Sequence, residues 1–312
     1  MTYASMDELI AAVRPMLAAS QPVTADDIDF SKGPVWCSPK LDGIRNLQMK
    51  SISKSRKLKD IPNVHIQQTL SHPVLDGMDG ELIVGRPEDE NCIQTTTSGV
   101  MTRAGAPKFA YYVFDVWDSP GVGFVARKGY LRRRVQAALR QKLPIVLVPQ
   151  ILCTDRASLA EAIGRHYQMG LEGSIIRSYD DPYKFNRSTL TEGIMLKVKE
   201  SIDSEIRVTG FEEMRHNQNE ATLDELGLTK RSTHKAGKTA AGTLGKLVGV
   251  DLTSGMSVVI GTGKMTAAEK LHVWQNQHLY LGRIAKYRFA SYGIKDAPRF
   301  PRFICWRDEI DL

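Results

Sequence analysis

The stretch "SPKLDGIRN", residues 38–46, sets Lys40 directly ahead of a Leu-Asp-Gly turn and places Arg45 five residues beyond that lysine. Asp-Gly is a common hairpin turn, and lysine and arginine often flank turns as plain surface charges. By itself the stretch supports that bland reading as well as a chemical one. A free lysine titrates at about 10.4, so it is a nucleophile at neutral pH only where neighbouring cations or a metal favour the free amine. The decision therefore rests on what else the chain carries.

Composition sets the frame. A chain of 312 residues holds one large domain or two modest ones, and its 42% hydrophobic content suffices for packed cores. The net charge of +7 suits a polyanionic partner without requiring one. No apolar run is long enough to cross a bilayer, so no membrane partner is expected. The opening "MTYASMDELIAAVRPMLAAS" reads as an amphipathic helix rather than a signal peptide. Cys37, Cys92, Cys153 and Cys305 lie far apart, which argues against a clustered zinc site and a disulfide framework. A reducing, cytoplasmic location follows as the simplest expectation. Two Gly-Lys pairs, in "GTGKM" and "GTLGKL", fail as phosphate loops. Val258 and Ala240 stand where the first glycine belongs, and Met265 and Leu247 where the hydroxyl belongs.

The pattern along the chain has two parts. Up to about residue 200, "GELIVG", "FAYYVFDVW", "PIVLVPQIL", "GSIIR" and "GIMLKVK" read as strands. Between them, "RKGYLRRRVQAALRQKL" and "DRASLAEAIGRHYQMG" read as helices, the second capped by Asp155 and ended by Gly170. Beyond Ser201, "SEIRVTGFEE" and "LGKLVGVDLTSGMSVVIGTG" read as barrel strands with glycine turns. The polar segment 215–242 is expected to be a long, mobile loop. The expected domains are 1–201 and 202–312.

Four further stretches follow the first in order: "DGELIV" (79–84), "YVFDVW" (112–117), "EGSIIR" (172–177) and "LKVKE" (196–200). Singly, each is ordinary: a strand-edge charge, a core aromatic, a turn, a solvated strand face. Together they make chemical sense. Lys197 and Lys199 share a strand face and repel one another unless an anion such as a triphosphate lies between them. Glu81 and Glu172 are hard oxygen ligands of the kind that hold Mg²⁺ beside phosphates. Phe114 can stack on a purine ring.

In this order the five motifs resemble the signature of the covalent nucleotidyltransferases, and specifically the compact, bacteriophage-type ATP-dependent DNA ligases. The resemblance runs from Lys40 to Glu200, and "AGTLGKLVGVDLTSGMSVVIGTGK" and "RFPRFICWRDE" extend it to the second half. It implies an α+β fold: a nucleotidyltransferase (adenylation) domain with antiparallel sheets and flanking helices, then a C-terminal OB-fold β-barrel. Lys40 resembles the nucleophile that takes AMP, framed by Ser38, Pro39 and Leu41 in the ATP pocket. Arg45 resembles the arginine that contacts the nucleotide and the 5′-phosphate, and Arg56 a second one near the ribose and nick phosphate. Glu81 resembles the ribose- or metal-contacting glutamate, Phe114 the adenine-stacking aromatic, and Glu172 the metal-binding glutamate. Lys197 and Lys199 resemble the pair that grips the α-phosphate. Arg302, Arg307 and Asp308 resemble the terminal motif that orients pyrophosphate. Two departures stand out: Ser38 occupies a position where many ligases carry glutamate, and no lysine follows Asp308.

The resemblance implies ATP and Mg²⁺ (or Mn²⁺) as cofactors and nicked double-stranded DNA as partner. It also implies a monomer in the cytoplasm, the host's if the chain is phage-encoded. No cysteine-rich zinc module of the NAD-dependent ligases is present in the sequence, so ATP is the expected donor. An RNA ligase or capping guanylyltransferase with the same core remains an alternative. So does a non-catalytic OB-type nucleic-acid-binding protein, which leaves the paired lysines and both glutamates unexplained.

Overall fold

A computed structural model describes residues 3–290 and 297–308 of the chain. It divides into two compact units, Met1–Lys199 and Glu200–Leu312.

The first unit is built on two sheets. In one, Val35–Lys40 lies between Gly173–Ser178 and Ile151–Cys153, with Met195–Lys199 outside Gly173–Ser178, and every pair is antiparallel. In the other, Ile52–Ser55, Ile44–Met49, Met78–Val84 and Phe109–Val116 pair antiparallel in that order, and Ile145–Leu147 adds a parallel edge. The opening stretch is therefore no hairpin. Val35–Lys40 and Ile44–Met49 belong to different sheets, and Leu41, Asp42 and Gly43 carry the chain across. Gly43 is required there, because a Cβ at this position would collide with the backbone oxygen of Leu82.

Strand alternation gives each sheet a core face. Leu82, Tyr111 and Val113 pack on Leu131, Val135 and Ala138 of the helix Phe124–Arg140. Cys37, Ile176 and Leu196 pack on Leu159, Ala162 and Ile163 of the helix Arg156–Gln168. Asp155 caps that second helix by accepting from the Ser158 amide, and Gly170 follows it at φ +74°.

Two expected elements differ. "PIVLVPQIL" is two strands, Ile145–Leu147 and Ile151–Cys153, in different sheets. Pro149 lacks the N–H that a continuous ladder needs. The N-terminal helix ends at Ala12, because Arg14 precedes Pro15 and is disfavoured in helical geometry. Met16–Leu17 then pairs in parallel with Asn186–Arg187.

The second unit is a closed barrel. Its strands run in the order Ser201–Asn217, Lys238–Asp251, Ser257–Gly261, Arg299–Arg307 and Ile284–Ala290, the last pairing back onto the first. Ile206, Val208, Leu247, Ile260, Tyr287 and Phe303 fill its interior. The segment expected as a mobile loop is ordered. The first two barrel strands stay paired out to Asn217 opposite Lys238, and Ala221–Leu223 pairs with Thr229–Arg231 beyond them. Its polar side chains serve the backbone. Asn219 Nδ2 donates to the carbonyls of Ser232 and His234, and the Asp224 carboxylate accepts from the amides of Leu226 and Leu228.

Candidate active site

The two sheets of the first unit border a cavity of about 200 Å³. Ser38, Pro39, Lys40 and Leu41 enter it from the end of one strand, Arg45, Glu81 and Phe114 from the other sheet, Arg56 from the turn after Ile52–Ser55, and Lys197 from Met195–Lys199. Lys40 stands opposite Gly173 in register, so Glu172 comes next to it. The buried Glu172 carboxylate takes the Lys40 ammonium on one oxygen and the Lys199 ammonium on the other. Burial alone would raise its pKa, but those two ammoniums hold it below the usual carboxylate value. The glycine after it is required: Gly173 has φ +150°, and a Cβ would strike the backbone oxygen of Val198.

Cations crowd the rest of the cavity. The Lys197 ammonium donates to the carbonyl of Ser20 at 2.7 Å. Burial first, then Lys199, Arg187 and Lys40, bring its pKa down to about 8. Arg56 is likewise lowered by burial, then by Arg187 and Arg45. Such a cluster is self-repelling until an anion enters it. Arg45 is differently engaged. Its Nε and Nη2 grip the buried Asp79 carboxylate at 2.5 and 2.6 Å, and its guanidinium carbon lies 4.8 Å from the Phe114 ring centroid. Asp79 also accepts from the Tyr183 hydroxyl at 2.6 Å. Arg45 thus acts as a strut across the floor of the cavity.

Burial pushes the Glu81 carboxyl up to about 7, against the opposing pull of Arg45 and Lys40. Its ordinary value is 4.5, so between these pH values the folded chain holds a proton that the unfolded chain has lost. That contribution to stability is complete below 4.5 and disappears as pH rises through 7. Each pH unit in that window is worth ~1.4 kcal/mol. Glu81→Gln should therefore gain on the wild type by roughly 2–3 kcal/mol between pH 5 and pH 8. Urea unfolding of both proteins at the two pH values measures this, and an unchanged gap would mean that Glu81 is ionised throughout.

The three terminal-motif residues lie in the second unit. Arg302 is exposed and faces Gly261 across the parallel seam of the barrel. Arg307 Nε donates to Glu205 Oε1 at 3.2 Å, and Asp308 is exposed just past the strand. Among the described residues, no group of three or more His, Cys, Asp or Glu side chains gathers as a metal cage.

The cavity also takes in Arg177, Arg187 and Gln150, which the sequence reading did not single out. Arg187 pairs beside Leu17, and its Nη1 donates to the carbonyl of Ala18 at 2.7 Å. Its only signal was a lone arginine in "KFNRST", between two of the motif stretches. Arg177 ends "EGSIIR" and is buried with Arg127 around the single carboxylate of Asp115.

The profile of the family described as "ATP dependent DNA ligase domain" matches residues 15–201, more than half of the chain. A curated relative, "Probable DNA ligase" of Kineococcus radiotolerans, is 31% identical over 202 residues, covering 59% of this chain and 37% of the relative. The chain thus spans little more than a third of that relative's length. The solved Chlorella virus DNA ligase-adenylate is 29% identical, with 95% of this chain and 99% of that one aligned at a TM-score of 0.52. A solved structure from a study of Lig E DNA ligases, titled for DNA binding with a minimal scaffold, is 21% identical. It aligns over 94% of this chain and 99% of that one at a TM-score of 0.67, a likeness of fold.

Proposed function

Because this chain belongs to the family of ATP-dependent DNA ligase domains, we propose that it seals nicks in duplex DNA through a lysyl-AMP intermediate on Lys40. The observation that carries this reading is the arrangement around Lys40. Its ammonium faces a cavity rich in cations and is held by the same carboxylate that holds Lys199.

In the first step the deprotonated Lys40 amine attacks the α-phosphorus of ATP, a P–N bond forms, and pyrophosphate leaves with the electrons of the broken P–O bond. Glu172 orients the Lys40 Nζ before attack, and Lys197 and Lys199 meet the charge on the α-phosphate. The AMP then passes to the 5′-phosphate at a nick, for which Arg56 and Arg187 offer charge at the rim. Finally the 3′-hydroxyl attacks that phosphorus and AMP leaves. Arg302, Arg307 and Asp308 serve the nucleotide step.

Glu81 and Glu172 are the carboxylates suited to Mg²⁺ or Mn²⁺, with phosphate oxygens and water completing the ligand set. Such an ion supplies charge neutralisation at the phosphates. The partner is nicked double-stranded DNA, held through its phosphates without regard to sequence, and the protein acts as a monomer in the cytoplasm.

The decisive experiment mixes the protein with radiolabelled ATP or GTP and a divalent cation, then adds a nicked duplex. A covalent label from ATP that is chased by the nick supports ligation. A label from GTP points to capping chemistry, and no label to a binding module. The paired extension of the barrel carries Lys230, Arg231, Lys235 and Lys238, which we assign to the DNA backbone. Replacing residues 218–237 with a short turn should weaken nicked-duplex binding and flatten its salt dependence while sparing adenylylation. Identical binding across a salt titration would return these residues to the solvated surface.

A further inference from the structure

We propose that Gln150 reads the exocyclic amino group of adenine, and so makes the first step selective for ATP over purine nucleotides that lack that group. This rests on the nucleotide reading of the cavity given above.

Gln150 sits just after Pro149, where the chain leaves one sheet and enters the other. Gln150 lines the cavity beside Lys40 and also a recess of about 90 Å³ beside Phe114. Its Nε2 donates to the backbone oxygen of Phe114 at 3.3 Å. A carbonyl oxygen can only accept, so this contact sets which end of the amide faces the backbone. A flipped amide would bring two acceptors together. The Oε1 atom is thereby turned away from Phe114, and it has no hydrogen-bond partner among the described residues.

The oxygen of Phe114 is available for a reason visible in the sheet register. Asp79 pairs with Asp115 and Gly80 with Val113, so Phe114 is the extra residue of a bulge and has no partner in the Met78–Val84 strand. The bulge thus aims the Phe114 ring into the cavity and leaves its carbonyl free to hold Gln150.

The chemistry of the bases does the rest. Adenine presents an amino donor at position 6, whereas hypoxanthine and guanine present an oxygen there. A locked amide oxygen accepts from the first and repels the second. The other neutral polar group is the Ser38 hydroxyl, which both donates and accepts and so does not discriminate. The cations of the cavity are donors only. Glu81, the one carboxylate lining the cavity among the described residues, stands opposite Arg45 in register.

The test uses the full chain and follows covalent labelling of Lys40 with three nucleotides: ATP, purine riboside triphosphate (hydrogen in place of the amino group) and ITP. Wild-type kcat/KM should fall about 10- to 100-fold from ATP to purine riboside triphosphate, and further with ITP. Gln150→Met fills the same space without an acceptor. It should use ATP and purine riboside triphosphate equally well, because its kcat/KM for ATP falls to the wild-type level for the analogue. The ratio does not depend on how much of the protein is active, so a merely structural role would lower all three rates and leave it unchanged. That result would overturn the proposal. If the wild type took no nucleotide at all, the ligase reading would fall first and this inference with it. If it took all three equally, only this inference would fall.

Discussion

Lys40→Ala should form no covalent AMP adduct, a loss of at least ~10⁴-fold in the first step, while its unfolding transition stays close to that of the wild type. The bond to phosphorus needs an amine with a free lone pair, and alanine has none. Folding should survive because Glu172 keeps its second ammonium, Lys199, when the first is removed. Lys40→Arg sharpens the test. It restores a positive charge beside Glu172, yet a guanidinium stays protonated and should fail as completely as alanine. Charge and nucleophilicity are separated in this way within one position. Intact-mass measurement after incubation with ATP reads the adduct directly. An adduct of wild-type yield in Lys40→Ala would move the nucleophile elsewhere, with Lys197 the first position to examine because its pKa is already near 8.

Arg302→Ala should divide the reaction by step. Adenylylation should fall on the order of 100-fold, as expected when one charge-stabilising group is lost. Sealing of a nick that already carries AMP should remain within about threefold of the wild type, because pyrophosphate has left by then. Arg302 is exposed on its strand and no carboxylate among the described residues pairs with it, so its removal should cost the barrel little. Single-turnover kinetics on the two substrates separate the steps. Equal losses in both would assign Arg302 to the barrel or to DNA instead of to the nucleotide.

Much of the first unit was legible because its signals are local. Short β-rich runs bounded by glycine, a helix capped by Asp155 and ended by Gly170, and motif residues set on strands all follow from sequence spacing. What could not be read was the pairing of strands. Nothing near Asp42 says that the turn passes between sheets instead of closing a hairpin, since the partners of the two strands lie more than 30 residues away at Asp79–Leu82 and more than 100 away at Gly173. The same limit hid Arg187 and Gln150. Each gains its position from a strand remote in sequence, and neither sits in a motif. Asp79 was likewise unread as the clamp on Arg45, although it opens a stretch chosen for Glu81. The order of 215–242 was missed because asparagine and aspartate suggest a loop until their side chains are seen to bond the backbone.

The crossing at residues 41–43 bears on how the chain is made on the ribosome. The sheet that begins at Ile44 has every strand in hand once residue 147 has emerged. Lys40, translated earlier, belongs to a sheet whose remaining strands end at Lys199. During synthesis the lysine therefore waits, without Glu172 or Lys199 beside it, for about 130 residues. A nascent chain truncated before Glu172 lacks both the carboxylate that holds Lys40 and the second ammonium on it, so if Lys40 is the nucleophile, fragments released by a stalled ribosome should be silent toward nucleotide rather than half-active.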